Sequence, residues 1–312
     1  MYTIPPEHLK PVNLPSVQHS SPPVNNTGVQ AVDFTVARYN PDRDNIYYVF
    51  TRSHPNTGYP LLLGVPSLLS QTDFDPRRRT VVLVHGWLGS VTDRSNIVLV
   101  PAFLNAEDVN VIVVDWNAGA GENYVTSVIN TVISGEGVSR FITWLNRETG
   151  AFFSDYHIVG HSLGGHQAGI IGRNLNGSIP YITALDPAYP LWILNPHKFQ
   201  ANDGQYTEVI HTNAGVSGYL TPLGHVDFYP NGGINMAGCD GQNCDHDRCF
   251  HYMAESVKTG GFSGTECRTY AHAMLGACSL NGRLNMGGVK PKTGSRGVYF
   301  LRTNAQPPFS IN

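Results

Sequence analysis

One stretch limits what this chain can become: Tyr156-His157-Ile158-Val159-Gly160-His161-Ser162-Leu163-Gly164-Gly165-His166. Residues 156–159 have strand character and run into a G-x-S-x-G turn, after which helix-compatible residues continue. A serine at the tip of so tight a strand-to-helix turn has strained backbone angles. Side chains at Gly160 or Gly164 would collide with the crossing strand or helix, so both positions require glycine. The following helix points its N-terminus at the serine and favours negative charge there. A five-residue pattern recurs by chance, and a glycine-rich turn can be only a turn. Strand, turn and helix in this order, with a suitable aspartate and histidine downstream, make Ser162 a candidate nucleophile.

The chain around that turn alternates strands with helices. Residues 80–87 form an apolar run that ends in His85-Gly86-Trp87. Residues 109–116 form the next, ending in Asp115-Trp116, and 181–186 another, ending in Asp186 before Pro187. Residues 208–211 and 225–229 are the last apolar runs. Helical patterns fit residues 95–105, 124–134 and 138–148, the last closed by Gly150. This order predicts βαβ units and an α/β architecture: a mostly parallel sheet covered by helices on both faces. Residues 32–39 and 46–50 alternate like antiparallel strands and fit an added edge. The triplet Arg77-Arg78-Arg79 reads as a solvated loop before a buried strand. Residues 1–30 are polar and carry Pro5, Pro6, Pro11, Pro15, Pro22 and Pro23. They predict an extended arm, poorly ordered or laid over the domain as a strap, with residues 31–312 forming a single domain.

Composition removes several function classes. Charged residues make up 14% of the chain, below the ordinary level of roughly 25%. The formal net charge of −3 gives no basic footprint for nucleic acid or for an anionic membrane surface. No apolar run approaches the length of a transmembrane helix. Cys239, Cys244, Cys249, Cys267 and Cys278 all fall in the last quarter. Such clustering reads as local disulfides and an oxidising compartment. The competing reading is a zinc site with His246 and His251, but the spacing lacks paired C-x-x-C knuckles, so no metal and no cofactor are expected. Sequons at Asn25 and Asn176 fit export. No secretory leader is visible at Met1, so the chain begins after one or leaves the cell by another route.

In a sheet of this type, functional residues gather at the carboxyl ends of strands. Ser162 needs a base, and the base needs an orienting carboxylate. Asp186 is preferred to Asp115 because it follows the nucleophile in chain order, although an Asx turn would also explain it. Thirteen histidines compete for the role of base. His161 is locked in the turn, His85 lies beside the loop after its strand, and His211 and His225 suit structural duty. His246, in a loop between Cys244 and Cys249 just before a helical run, is the choice. The oxyanion hole is assigned to the backbone N–H groups of Leu163 and Trp87. Losing one such donor costs about 3 kcal/mol in the transition state. The Trp87 side chain is also a candidate wall for an acyl chain, its plain alternative being core packing.

These residues bring a family into view. The chain resembles the animal neutral lipases related to pancreatic lipase, a family that includes lipoprotein lipases, insect gut lipases, wasp-venom phospholipases A1 and insect yolk proteins. The resemblance is carried by Val84-His85-Gly86-Trp87, Val114-Asp115-Trp116, Val159 to His166, Ile182 to Ala188, Val209 to Thr212, Gly224 to Gly233 and Cys244-Asp245-His246, in the family's order. It implies an α/β-hydrolase fold with Ser162 as nucleophile, Asp186 as orienter and His246 as base. It also implies disulfides Cys239–Cys244 and Cys267–Cys278, the second worth roughly 3 kcal/mol on the chain-entropy model. Cys249 then stays a buried free thiol or competes with Cys239 for Cys244.

Departures from the family refine the expectation. The loop that matches the cysteine-closed lid runs only from Cys239 to Cys244, too short to hold a helix of its own. Residues 213–223, which match a loop framing the site, are also few. Both resemble the phospholipase A1 branch, where an open groove leaves room for a polar head group. Insect gut lipases with a reduced lid are the competing match. Near residues 199–203 the single carboxylate of Asp203 is too little for the family's calcium site. The family's C-terminal β-sandwich has no counterpart, so colipase is not an expected partner. The resemblance implies a secreted carboxylic-ester hydrolase that meets phospholipid (at the sn-1 acyl ester) or acylglycerol at a membrane, micelle or emulsion surface. A yolk-type storage or lipid-carrier protein without catalysis is the alternative.

Overall fold

The computed structural model describes residues 9–16 and 39–311. The sequon at Asn25, most of the expected arm and most of the strand expected at 32–39 lie outside these residues. The part of the arm that is described, residues 9–16, carries β1 (Val12–Asn13), and its Leu9, Val12 and Leu14 pack against the core. A short helix α1 (Pro41–Asp44) leads into the hairpin β2 (Ile46–Thr51) and β3 (His54–Leu61), and β1 pairs antiparallel with β3.

The alternating part follows as β4 (Thr80–Val84), α2 (Arg94–Ala106), β5 (Asn110–Asp115), α3 (Asn117–Ala120), α4 (Tyr124–Thr149), β6 (Tyr156–His161), α5 (Leu163–Asn174), β7 (Tyr181–Leu185), β8 (Thr207–Ile210) and β9 (Val226–Pro230). The chain continues through α6 (Gln242–Thr259), β10 (Phe262–Cys267), α7 (Tyr270–Met274), β11 (Arg283–Met286) and β12 (Gly297–Leu301). One sheet takes the order β1-β3-β2-β5-β4-β6-β7-β8-β9-β12-β10-β11. From β5 to β12 in that order every pair is parallel, and both ends are extended by antiparallel strands. This is the α/β-hydrolase arrangement.

Period-2 alternation divides the central strands between two helical layers. Val82, Val84, Ile112, Val114, Ile158 and Ile182 face the layer of α4 and α5. Val81, Leu83, Val111, Val113, Val159 and Leu185 face the layer of α2 and α6. Strand order reverses at β4, since β5 lies on one side of it and β6 on the other. The crevice at such a reversal is where α/β sheets place their ligands.

Several elements differ from the sequence reading. Residues 124–134 and 138–148 are not two helices but the single 26-residue α4. Gly135 and Gly137 looked like a break, yet each marks a close approach. A Cβ on Gly135 would lie 2.7 Å from Ile170 Cγ2, and one on Gly137 would lie 2.5 Å from Pro41 Cβ. The ends of α4 follow local rules: Asn123 Oδ1 accepts from Thr126 N, and Gly150 closes the helix at φ 80°. β3 and β10 to β12 were not read from the sequence. β3 contains Pro55, Gly58 and Pro60, tolerable near a sheet edge but poor strand signals. β10 and β11 are largely polar, because only part of each is buried.

The α4–α5 contact gives a direct test. Gly135→Val adds bulk where Ile170 already touches the helix, and should destabilise the fold by about 2 kcal/mol. Urea unfolding followed by far-UV circular dichroism measures this. A midpoint equal to wild type would show that the two helices do not need that contact.

Candidate active site

The turn between β6 and α5 is held by contacts that leave no room for a methyl group. A Cβ on Gly160 would sit 1.9 Å from the Gly164 carbonyl oxygen, and one on Gly164 would sit 2.2 Å from that of Val84. Ser162, between them, has φ 57° and ψ −120°, a conformation that costs a non-glycine residue about 1–3 kcal/mol. Neighbouring strand ends hold it there. The Ser162 N–H donates to Leu185 O at 3.0 Å, and its carbonyl accepts from Ala188 N at 3.1 Å. The hydroxyl therefore projects from the carboxyl end of β6.

Asp186 follows β7 directly and also has positive φ, 42°. Its side chain is fully buried. Oδ1 accepts from the N–H groups of Thr212 and Asn213 at 2.7 and 3.0 Å, while Oδ2 meets His246 Nδ1 at 2.6 Å. Gly218 closes over the carboxylate so tightly that a Cβ there would lie 2.2 Å from Oδ1. Two N–H donors and an imidazole thus fix both oxygens of a buried carboxylate. With Nδ1 directed at Asp186, His246 offers Nε2 to the cavity.

That cavity has a volume of about 520 Å³, within the range of small-ligand sites, and both Ser162 and His246 line it. Among the described residues no hydrogen bond joins Ser162 Oγ to His246; such contacts often tighten only once substrate is bound. The loop after β4 passes beside the serine: a Cβ on Gly86 would lie 2.9 Å from Ser162 Cβ. Among the described residues neither the Trp87 N–H nor the Leu163 N–H has an acceptor. Two free donors thus flank the hydroxyl, one from a loop and one from the first turn of α5. The Trp87 indole is not core. It lines the cavity, donates to Glu122 O and meets Tyr124 edge-on.

His246 does not lie in a loop, as expected, but in the second turn of α6. The Cys239–Cys244 disulfide closes a short turn whose second half is already the first turn of that helix. No separate helix forms between the two cysteines. The other disulfide joins Cys267 to Cys278. Cys249 is free and buried one turn beyond His246; its thiol donates to His246 O, and burial holds it protonated.

The remaining candidates are occupied elsewhere. Asp115 accepts from Val91 N and Asn117 N and lies 3.7 Å from His85 Nε2. His211 pairs with Asp227 and the carbonyl of Tyr219, and His225 meets Thr207. His161 packs against His246, and burial together with that neighbour lowers its pKa. His166 stacks on Trp192 and bonds Ala188 O, and burial pushes its imidazole down to about 3. Asp203 is bound by Arg173, yet burial keeps its carboxyl up at about 6. Among the described residues no group of three or more His, Cys, Asp or Glu is placed to hold a metal ion.

Sequence reasoning missed several participants. Thr212 lay within a quoted motif, but only the fold shows its N–H meeting Asp186. Gly218 gives no local signal for its contact with the carboxylate. Tyr124, Pro190 and Arg94 line the cavity from outside the quoted motifs, and Val216 and Asp247 line it from stretches that were noted without either residue being singled out.

A family model described as Lipase matches residues 15–309. Pancreatic triacylglycerol lipase of Sus scrofa is 33% identical over 259 residues, 73% of this chain and 57% of that protein. The same lipase of Homo sapiens is 31% identical over 258 residues, 73% of this chain and 55% of that protein. Lipase member H of Xenopus tropicalis is 35% identical over 244 residues, 74% of this chain and 52% of that protein. The chain spans a little over half the length of the relatives it matches.

The seat of the carboxylate can be tested by itself. Gly218→Ala should displace Asp186 from His246 and slow the labelling of Ser162 by a fluorophosphonate about a hundredfold, the scale of an ångström-sized misplacement. An unchanged labelling rate in a variant whose thermal unfolding matches wild type would show that the Gly218 contact does not set the carboxylate.

Proposed function

This chain belongs to the lipase family, that of the pancreatic-type lipases, and we propose that it is a serine carboxylic-ester hydrolase acting on lipids through an acyl-enzyme. The observation that carries this reading is the buried Asp186 carboxylate bonded to His246 Nδ1, with Ser162 at a strained strand end in the same cavity. Ser162 Oγ attacks the acyl carbonyl carbon while His246 Nε2 takes the hydroxyl proton. The Trp87 and Leu163 N–H groups stabilise the negative oxygen of the tetrahedral intermediate. His246 then gives its proton to the departing alcohol oxygen. Water, activated by the same imidazole, releases the fatty acid and restores the serine. Asp186 stabilises the imidazolium in both halves.

The substrate is a phospholipid, cut at its sn-1 acyl ester, or an acylglycerol. Support for an open, lipid-facing site comes from two features. The Cys239–Cys244 turn runs straight into α6 without a helix of its own. Exposed Leu88, Leu191, Ile193 and Leu194 follow in the chain on Trp87 and Pro190, which line the cavity. An apolar rim of this kind suits contact with a membrane, micelle or emulsion. Export to an oxidising compartment is supported by two disulfides and by the exposed sequon at Asn176. The sheet continuous from β2 to β12 supports a single catalytic domain in residues 31–312, with the N-terminal arm strapped to its edge at β1.

Two substrates supplied in parallel test the reading: phosphatidylcholine with distinguishable acyl chains and a long-chain triacylglycerol emulsion. The protein should release fatty acid from at least one, and Ser162→Ala should lower the rate by at least about four orders of magnitude. Release from the sn-1 position supports the phospholipid branch, and triacylglycerol cleavage alone supports the other. Well-folded protein that cuts neither would replace the enzyme with a lipid carrier.

A further inference from the structure

The cavity has two walls of different chemistry. One is apolar and continuous: Trp87 meets Tyr124 edge-on, and the Tyr124 hydroxyl donates to Pro190 O at 3.1 Å. The other joins the N-terminal ends of α2 and α6. There Arg94 Nη1 lies 2.7 Å from Asp247 Oδ2, one residue after the base His246. Arg94 is the only lysine or arginine among the lining residues.

Its setting separates it from an ordinary surface ion pair. Asp247 is mostly buried on α6, whereas the guanidinium is 62% exposed. The carboxylate therefore holds one side of the guanidinium. Among the described residues no other acceptor reaches the remaining N–H groups, which are left to the cavity and solvent. Asp93, the second carboxylate of this wall, caps α2 through Oδ1, which accepts from Ser95 N and Oγ. Gly241 gives α6 no side-chain cap, so this wall also carries the free N–H groups of a helix start. A guanidinium with a spare planar edge matches phosphate oxygens, whereas a neutral acylglycerol offers it only uncharged acceptors and no anion.

Building on the lipid-hydrolase reading above, we propose that Arg94 recognises the head-group phosphate of a phospholipid and sets the preference for phospholipid over neutral glyceride. Asp247 is the positioning residue that aims the guanidinium. The acyl chain to be cut lies along Trp87, Tyr124 and Pro190, and the ester carbonyl sits at Ser162 between the two walls.

The test compares dihexanoylphosphatidylcholine with 1,2-dihexanoylglycerol, both as monomers below their critical micelle concentrations, so that surface binding plays no part. Arg94→Gln should lower the ratio of kcat/KM for phosphatidylcholine to that for the diacylglycerol by at least about tenfold, the loss expected for a charge-assisted phosphate contact. Arg94→Lys should recover part of the ratio, because it keeps the charge but not the fork. Asp247→Asn should reduce the ratio less than Arg94→Gln does. A wild-type protein that cuts phosphatidylcholine, with a ratio unmoved by Arg94→Gln, overturns the role of Arg94 alone. Parallel loss on both substrates in Arg94→Gln and Asp247→Asn also overturns it and leaves the pair as a brace between α2 and α6. Wild-type protein that cuts only the diacylglycerol removes the proposal and the phospholipid branch together. If neither monomer is cut, the same ratio is read on mixed micelles of the two lipids, and cleavage of neither there removes the hydrolase reading itself.

Discussion

The structure depends on how closely β4, β6 and α5 approach one another at Gly160 and Gly164. Backbone meets backbone there at distances that exclude even one methyl group. This crossing fixes where β6 stops, where α5 starts and which way Ser162 points. It also puts the loop after β4 against the serine, because Val84 pairs with Gly160 in the β4–β6 register. The two unpaired N–H groups beside the hydroxyl, from Trp87 and Leu163, follow from that single approach. Neither donor has to be recruited by a side chain.

Backbone strain collects around the same cavity. Ser162, Asp186, Leu88 and Leu191 all have positive φ without being glycine. The first two are at the chemistry, and the leucines adjoin Trp87 and Pro190 at the rim. Each such residue costs about 1–3 kcal/mol and persists only where its surroundings over-determine it. The surroundings here are the parallel strands, buried on both faces, whose ends hold Ser162 and Asp186 by main-chain hydrogen bonds. Rigidity in the sheet sustains strain at its edge, and the segment after β8 completes the seat of the carboxylate through Thr212 and Asn213.

What the sequence revealed follows from how local each cause is. The elbow was legible because its requirement for glycine is met within five residues. Asp186 was legible from a strand end and from chain order. Central strands were legible because both faces are buried, so most residues in them are apolar. The continuity of α4 through Gly135 and Gly137 was not, since those glycines answer to Ile170 and Pro41, distant in sequence. Nor was the helical position of His246, because the disulfide that suggested a loop is built into the first turn of α6. Gly218 over Asp186 and Arg94 beside Asp247 lay out of reach for the same reason. Each is a contact between a motif, or a residue beside one, and a residue distant in sequence.

His246, the proposed base, is held by three neighbours. Cys249 donates to the carbonyl of His246 from one turn further along α6, and His161 packs against its ring from within the elbow. Asp186 holds Nδ1 from the end of β7. These supports come from α6, the elbow and the end of β7, not from the turn between Cys239 and Cys244. The turn from Cys239 to Cys244 can then be reduced to an entry into α6 without loosening the imidazole. With that turn so short, the proposed lipid substrate would meet the side chemistry of the cavity itself. One wall is apolar from Trp87 to Pro190, and the other is charged at Arg94 and Asp247. On the proposed function, selectivity arises from those walls, because among the described residues the Cys239–Cys244 turn carries no separate helix to stand over them.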